Sequence, residues 1–159
     1  MVSEGDTAPT FTATVANGDV GPFDLGEHPG DGPVVLAFFA GAFTPPCSNG
    51  MVALQDRADE FADAGATLLG VSADSAFSLN AFREEHGIEF DLVSDTDREA
   101  IDAHDLRIDV GELRLLGVAN RAVYVLDEAG TVTYAWVADD PRNDPDYGEL
   151  LGTVGAAPA

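Results

Sequence analysis

The run Pro33-Val34-Val35-Leu36-Ala37-Phe38-Phe39 contains no side chain that can hydrogen-bond. A stretch this short and this apolar reads as a strand buried on both faces. Two buried faces require helices above and below, which restricts the chain to layered α/β architectures. The neighbouring residues supply such a layer. From Cys47, the residues Met51, Leu54, Ala58 and Phe61 fall four, seven, eleven and fourteen positions along, predicting one helix that Gly65 terminates. Thr67 to Val71 is the next strand.

Phe11 to Val15 and Val20 to Leu25 form a predicted hairpin around Asn17-Gly18. Ser75 caps a helix carrying Phe77, Leu79 and Phe82, closed by Gly87. Ile88, Phe90 and Leu92 alternate as a strand does, and Asp95 caps a short helix through Ala103. Arg107 to Gly117 reads as an irregular connection. Arg121 to Leu126 and Thr131 to Val137 are strands joined by the turn Asp127-Glu128-Ala129-Gly130. Asp139 to Asp146 is a surface loop before a short last helix, and Gly152 to Ala159 is predicted to fray. With neither linker nor internal repeat, residues 1–159 read as one α/β domain. It has a mixed central sheet, helices on both faces and an N-terminal β-hairpin.

Acidic residues number 29 against seven basic ones, all arginine, for a formal net charge of -22. Hydrophobic residues still make up 45% of the chain, so a folded domain is expected rather than an acidic disordered tail. At ordinary ionic strength such a surface repels itself. At about 1 M salt the Debye length falls to about 3 Å and the repulsion fades. The composition resembles that of proteins from salt-loving archaea. It argues against binding nucleic acid or an anionic membrane, because no basic patch is available. No apolar run approaches the ~20 residues of a membrane span, and no signal peptide is recognisable, so a cytoplasmic protein is expected.

Lysine's absence excludes a Gly-rich phosphate loop ending in Lys. His28, His86 and His104 are scattered and no second cysteine exists, so neither a metal site nor an internal disulfide is expected. Asp95, Asp97 and Glu99 have the opening spacing of a calcium loop, but Ala100 stands where glycine is required. Cys47 is different. It comes directly after Phe43-Thr44-Pro45-Pro46 where the apolar strand hands over to a helix, and a helix N-terminus favours a thiolate. The competing reading is a small buried apolar residue.

Three stretches narrow the choice. Ala40-Gly41-Ala42-Phe43-Thr44-Pro45-Pro46-Cys47 resembles the peroxiredoxin motif Pro-x-x-x-Thr-x-x-Cys. Gly5-Asp6-Thr7-Ala8-Pro9-Thr10-Phe11 resembles that family's opening segment. Gly117-Val118-Ala119-Asn120-Arg121, with Ala122 to Asp127 after it, resembles the stretch carrying its active-site arginine. Within the family the chain is most similar to the one-cysteine, alkyl-hydroperoxide-reductase-E type, since position 52 is Val rather than a second cysteine.

The resemblance implies a thioredoxin-like fold and a thiol-dependent peroxidase acting on hydrogen peroxide or organic hydroperoxides, with no cofactor. Cys47 would attack the peroxide and become a sulfenic acid. Arg121 would stabilise the thiolate and the charge on the breaking O–O bond. Thr44 would orient the peroxide, and Phe43 would help line its site. An external thiol or thioredoxin-like protein would reduce the sulfenic acid, and the chain would pair as a homodimer, with Phe43 and Trp136 as exposed aromatic candidates.

Three departures stand out. Ala40 replaces the family's proline, which is expected to open the thiol and loosen its pocket. Gly50 replaces a common glutamate that organises the arginine. Pro46 lacks an N–H donor. They leave a degenerate family member, a redox sensor or binding module, as the alternative. A thiol-disulfide exchanger is disfavoured because Gly50 occupies the second position of Cys-x-x-Cys.

Overall fold

The structure, a computed structural model, describes residues 2–27, 32–43, 45–140 and 143–156. In chain order its first elements are β1 (Thr12–Ala16), β2 (Val20–Asp24), β3 (Val34–Phe38), α1 (Pro45–Asp56), α2 (Ala58–Asp63), β4 (Thr67–Ser72) and α3 (Ala76–His86). The remaining elements are β5 (Asp91–Ser94), α4 (Glu99–Ala103), β6 (Arg107–Val110), β7 (Leu115–Ala119), β8 (Ala122–Leu126), β9 (Val132–Val137) and α5 (Tyr147–Ala156).

The apolar run becomes the strand that the rest is built around. Every position of β3 is buried. It lies between β4, parallel, and β8, antiparallel, in a seven-stranded sheet of order β2-β1-β5-β4-β3-β8-β9. Alternation sends Val35, Ala37 and Phe39 into one apolar cluster and Val34, Leu36 and Phe38 into the other. The first cluster is roofed by Met51 and Leu54 of α1, Phe61 of α2, Leu79 and Phe82 of α3, and Leu150 and Val154 of α5. The opposite face is covered by Ala100 and Ile101 of α4 with Phe11, Phe23 and Leu25 from the N-terminal hairpin region. Helices therefore occupy both faces, unequally. Truncating an interior phenylalanine such as Phe39 to Ala would cost roughly 3–5 kcal/mol. Gly70 of β4 permits the close fit, because a side chain there would press into Leu92 and Met51.

The hairpin forms at Asn17-Gly18, with Gly18 at φ 99°. The Ser75 hydroxyl accepts the Ser78 N–H at 3.2 Å, and Gly87 ends α3 at φ 67°. The Asp95 carboxylate receives the N–H groups of Ala100 and Ile101 and so holds the first turn of α4 from four residues upstream. Burial raises its pKa against those two bonds.

The expected fold stands, with local corrections. The single helix from Cys47 to Gly65 is two helices, because the Arg57 N–H bonds to the Leu54 carbonyl three residues back, tightening the turn and separating α1 from α2. Phe77 is 75% exposed: it lies two residues from Leu79, off the buried stripe. Strand β5 begins at Asp91, later than the alternation from Ile88 suggested. Arg107 to Gly117 is not irregular but contains β6 and most of β7, an antiparallel pair with a register shift. Val154 is buried and α5 runs to Ala156, so the segment predicted to fray is helical over most of its length. Among the described residues no helix is long and apolar enough to cross a membrane, and no group of three or more His, Cys, Asp or Glu could hold a metal ion.

His104 is fully buried among Phe11, Phe38 and Tyr124. Its Nδ1 donates to the Ala100 carbonyl at 2.8 Å, which fixes the tautomer and leaves Nε2 and the Tyr124 hydroxyl without protein partners. Burial lowers the His104 pKa, with the Ala100 bond opposing, and pushes Tyr124 up to about 12. The unfolded chain thus takes up a proton near the ordinary histidine value of about 6.5, while the folded chain resists it. Stability should fall as pH drops below that value, by up to about 1.4 kcal/mol per pH unit until the folded-state pKa is reached. In denaturant unfolding between neutral pH and the onset of carboxylate protonation, His104→Phe should flatten this slope. An unchanged slope would assign it to other groups.

Candidate active site

The register Phe38↔Ala122 sets the C-terminal end of β3 beside the N-terminal end of β8. The chain leaving β3 reaches Cys47 through Phe39 to Phe43, and the residue entering β8 is Arg121. Two positions far apart in sequence therefore meet at one end of the sheet. The approach to α1 is a tight turn with Phe43 in the left-handed region at φ 67°. Phe43 is 47% exposed and sets its ring edge-on against Phe82, centroids 5.3 Å apart. Thr44 lies outside the described residues. Helix α1 opens at Pro45 and Pro46, where the missing N–H costs no intrahelical bond.

Cys47 is a free thiol, 2% exposed, in the same apolar cluster as Ala40, Met51 and Val118. The expectation that Ala40 would leave the thiol open is therefore wrong. Ala40 is buried too, since a side chain smaller than proline still closes a loop that packs inward. Next to the thiol, the Ser48 hydroxyl is buried without a protein partner.

Arg121 is 4% exposed, a buried guanidinium that must be compensated. Its Nη1 donates to the Asn143 carbonyl and to Oδ1 of Asp144, both at 2.8 Å, and its Nη2 reaches the Tyr147 hydroxyl at 3.4 Å. Burial raises the Tyr147 pKa more than the adjoining arginine lowers it, so the hydroxyl stays neutral. The other edge of the guanidinium lies against Gly50, where an added side-chain carbon would collide with Nη2. Gly50 is one turn beyond Cys47 on the same side of α1, so the arginine reaches the helix face that carries the thiol.

This geometry explains the departure at position 50. The space a glutamate would occupy is filled by the arginine itself. The carboxylate that holds it comes instead from Asp144, after β9. Asp144 and Tyr147 escaped the sequence reading because their loop is polar and variable in pattern. The unusual glycine in the second turn of α1 was the available signal.

Two spaces adjoin these residues. One, about 10 Å³, lies between Arg121, Met51, Leu54 and Trp136 and is too small for a reactant. The other, about 290 Å³, is lined by the Ala40-Gly41-Ala42 loop, Asp74, Arg98, Arg114 and β7. Asp74 buttresses the loop, its Oδ2 accepting the Ala42 N–H at 2.8 Å and the Ser72 hydroxyl at 2.7 Å.

Residues 4–135 match the model of the AhpC/TSA family. A thiol peroxidase of Vibrio cholerae is 31% identical over 147 residues, covering 92% of this chain and 87% of that one. Among solved structures, the peroxidoxin BcpB of Mycobacterium tuberculosis superimposes with a TM-score of 0.86 at 26% identity over the full length of both chains. Reduced 2-Cys peroxiredoxin of Plasmodium vivax gives 0.84 at 26% identity, covering 96% of this chain and 94% of that one.

The contact at position 50 is testable by stability alone. On an open helix face Gly→Ala would stabilise by up to about 1 kcal/mol. Here Gly50→Ala should instead destabilise by roughly 1–3 kcal/mol, because the pinned guanidinium must move. In a double-mutant cycle by denaturant unfolding, the penalty should vanish when Arg121→Ala is present. Additive effects would show that the two residues do not press on each other.

Proposed function

The chain belongs to the AhpC/TSA family, and we propose that it is a thiol-dependent peroxidase of the one-cysteine kind with Cys47 as its nucleophile. The observation that carries the reading is a lone cysteine at a helix start with a buried, hydrogen-bonded arginine lying against Gly50, one turn along the same helix. In the first half-reaction the Cys47 thiolate attacks the terminal oxygen of a hydroperoxide. An S–O bond forms, the O–O bond breaks, and the departing alkoxide or hydroxide takes a proton to leave as alcohol or water. Cys47 is then a sulfenic acid.

No second cysteine exists to resolve it. An external thiol, small or thioredoxin-like, attacks the sulfenic sulfur, expelling water and forming a mixed disulfide. A second thiol releases Cys47 and carries away a disulfide. The peroxide receives two electrons and the two thiols supply them.

In this reading Arg121 steadies the thiolate and the charge growing on the peroxide oxygens. Asp144 and Tyr147 keep it there as positioning residues, while Thr44 and Phe43 complete the peroxide site. A cycle that consumes thiol requires a reducing compartment, so we place it in the cytoplasm. We also propose that two copies pair near Phe43, since that ring and Phe77 are exposed apolar surface. Close burial of Cys47 favours one second reading, a redox sensor that oxidises once and turns over poorly. Steady-state turnover with several thiol reductants separates the two.

Stoichiometric hydrogen peroxide should add one oxygen to the intact mass, trapped at Cys47 by a sulfenic-acid reagent and absent in Cys47→Ser. Arg121→Ala should slow that oxidation about 100-fold. A thiol that stays reduced under peroxide, or oxidation indifferent to Arg121, would refute the assignment.

A further inference from the structure

The cleft of about 290 Å³ beside the β3–α1 loop has a composition at odds with the rest of the molecule. Six arginines lie among the described residues and the chain has no lysine, yet two of the six, Arg98 and Arg114, line this one space. In so acidic a chain each would be expected to hold a carboxylate. Neither does. Among the described residues the ion pairs are Arg107–Asp102 and Arg121–Asp144. Arg98 donates only to backbone carbonyls, those of Thr96, Leu116 and Gly117, which orient its guanidinium without neutralising it. Arg114 is exposed and held at φ 54° at the turn before β7.

The nearby acids are engaged elsewhere. Asp102 takes two hydrogen bonds from Arg107, and Asp109 accepts the Gly117 N–H. Asp74, which lines the cleft, accepts from Ala42 and Ser72, which orient its carboxylate without neutralising it. Two guanidinium groups outside both ion pairs thus face a cleft that holds one carboxylate, Asp74, and whose other walls include Ala40, Ala42, Leu115 and Val118. Ala40 and Val118 share a buried cluster with Cys47, and Ala42 and Leu115 pack against it. The cleft adjoins the thiol's own surroundings.

We propose that this cleft receives the carboxylate of a small co-reactant of the Cys47 cycle, its short apolar body lying on the alanine, leucine and valine wall. Guanidinium groups bind carboxylates through paired, charge-assisted hydrogen bonds. Two arginines against one acid in the lining, on a chain of net charge -22, favour a small anion there over the acidic surface around it. The carboxylate is carried either by the hydroperoxide or by the reducing thiol. The proposal rests on the peroxidase reading for its chemistry, but not for binding.

Hexanoate and hexanol, which neither oxidise nor reduce, are titrated into the reduced protein by NMR. Hexanoate should bind saturably and more tightly than hexanol, and Arg114→Gln should weaken it about tenfold. Arg57→Gln removes the same charge from the α1–α2 junction and should weaken it far less. No saturable binding, or equal weakening by both variants, overturns the site. Rapid-mixing kinetics then compare mercaptopropionate with mercaptoethanol in the reductive step, and a carboxylate-bearing hydroperoxide with tert-butyl hydroperoxide in the oxidative step. Arg114→Gln should lower the acid-over-neutral rate ratio about tenfold in one of them, which identifies the carrier. Ratios unmoved in both steps would overturn a place in the cycle. Should Cys47 take no oxygen from any peroxide, the peroxidase reading falls, while the hexanoate titration still decides the cleft.

Discussion

The antiparallel pairing of β3 with β8 is the constraint on which the rest of the site depends. A strand alternates sides with a period of two, so a slip of one residue would turn every side chain of β8 to the opposite face. Five consecutive pairs, from Val34↔Leu126 to Phe38↔Ala122, fix the register. Every residue in both strands is buried, so a slipped arrangement would trade one packed apolar layer for another of the wrong shape. Arg121 stands one residue outside that ladder. Its backbone is tied on both sides, its N–H to the Asn120 side chain and its carbonyl to the Ala138 N–H. The hydrophobic core thereby aims a cation.

Burying that cation is the costly step. Taking a guanidinium out of water penalises folding by several kcal/mol unless its donors are satisfied. Here the compensation comes from a carbonyl and a carboxylate on the segment between β9 and α5 and from the phenol of the first residue of α5, while α1 contributes only space. An arrangement with a glutamate at position 50 would hold the arginine from the thiol's own helix. Moving the anchor to Asp144 separates the helix that carries Cys47 from the segment that holds the arginine, and leaves position 50, one turn from the sulfur, without a carboxylate.

Much of this was legible in the residues, and the reasons differ by element. Strand β3 and the hairpins announce themselves because apolar runs and Asn-Gly or Asp-Glu-Ala-Gly turns act locally. The motif around Cys47 was equally plain. The pair β6 and β7 was hidden because Arg107 to Gly117 mixes arginines, acids and leucines without strict alternation, and its register shift breaks the period that would reveal it. The split between α1 and α2 turns on a single tightened hydrogen bond at Arg57. Thiol burial and the anchoring of Arg121 are tertiary facts, set by contacts between segments about 20 to 100 residues apart. Gly50 looked like a lost interaction when taken alone. Against Arg121 it is the room that the interaction needs.

That anchoring has a bearing on how the molecule matures. Strands β3 and β8 can pair as soon as both are free to fold, but the carboxylate and phenol that hold the guanidinium lie beyond β9, at Asp144 and Tyr147. A folding intermediate with the sheet formed and that segment undocked would therefore leave the guanidinium without these partners. Ordering of the arginine is thereby coupled to docking of the segment from Asn143 into α5.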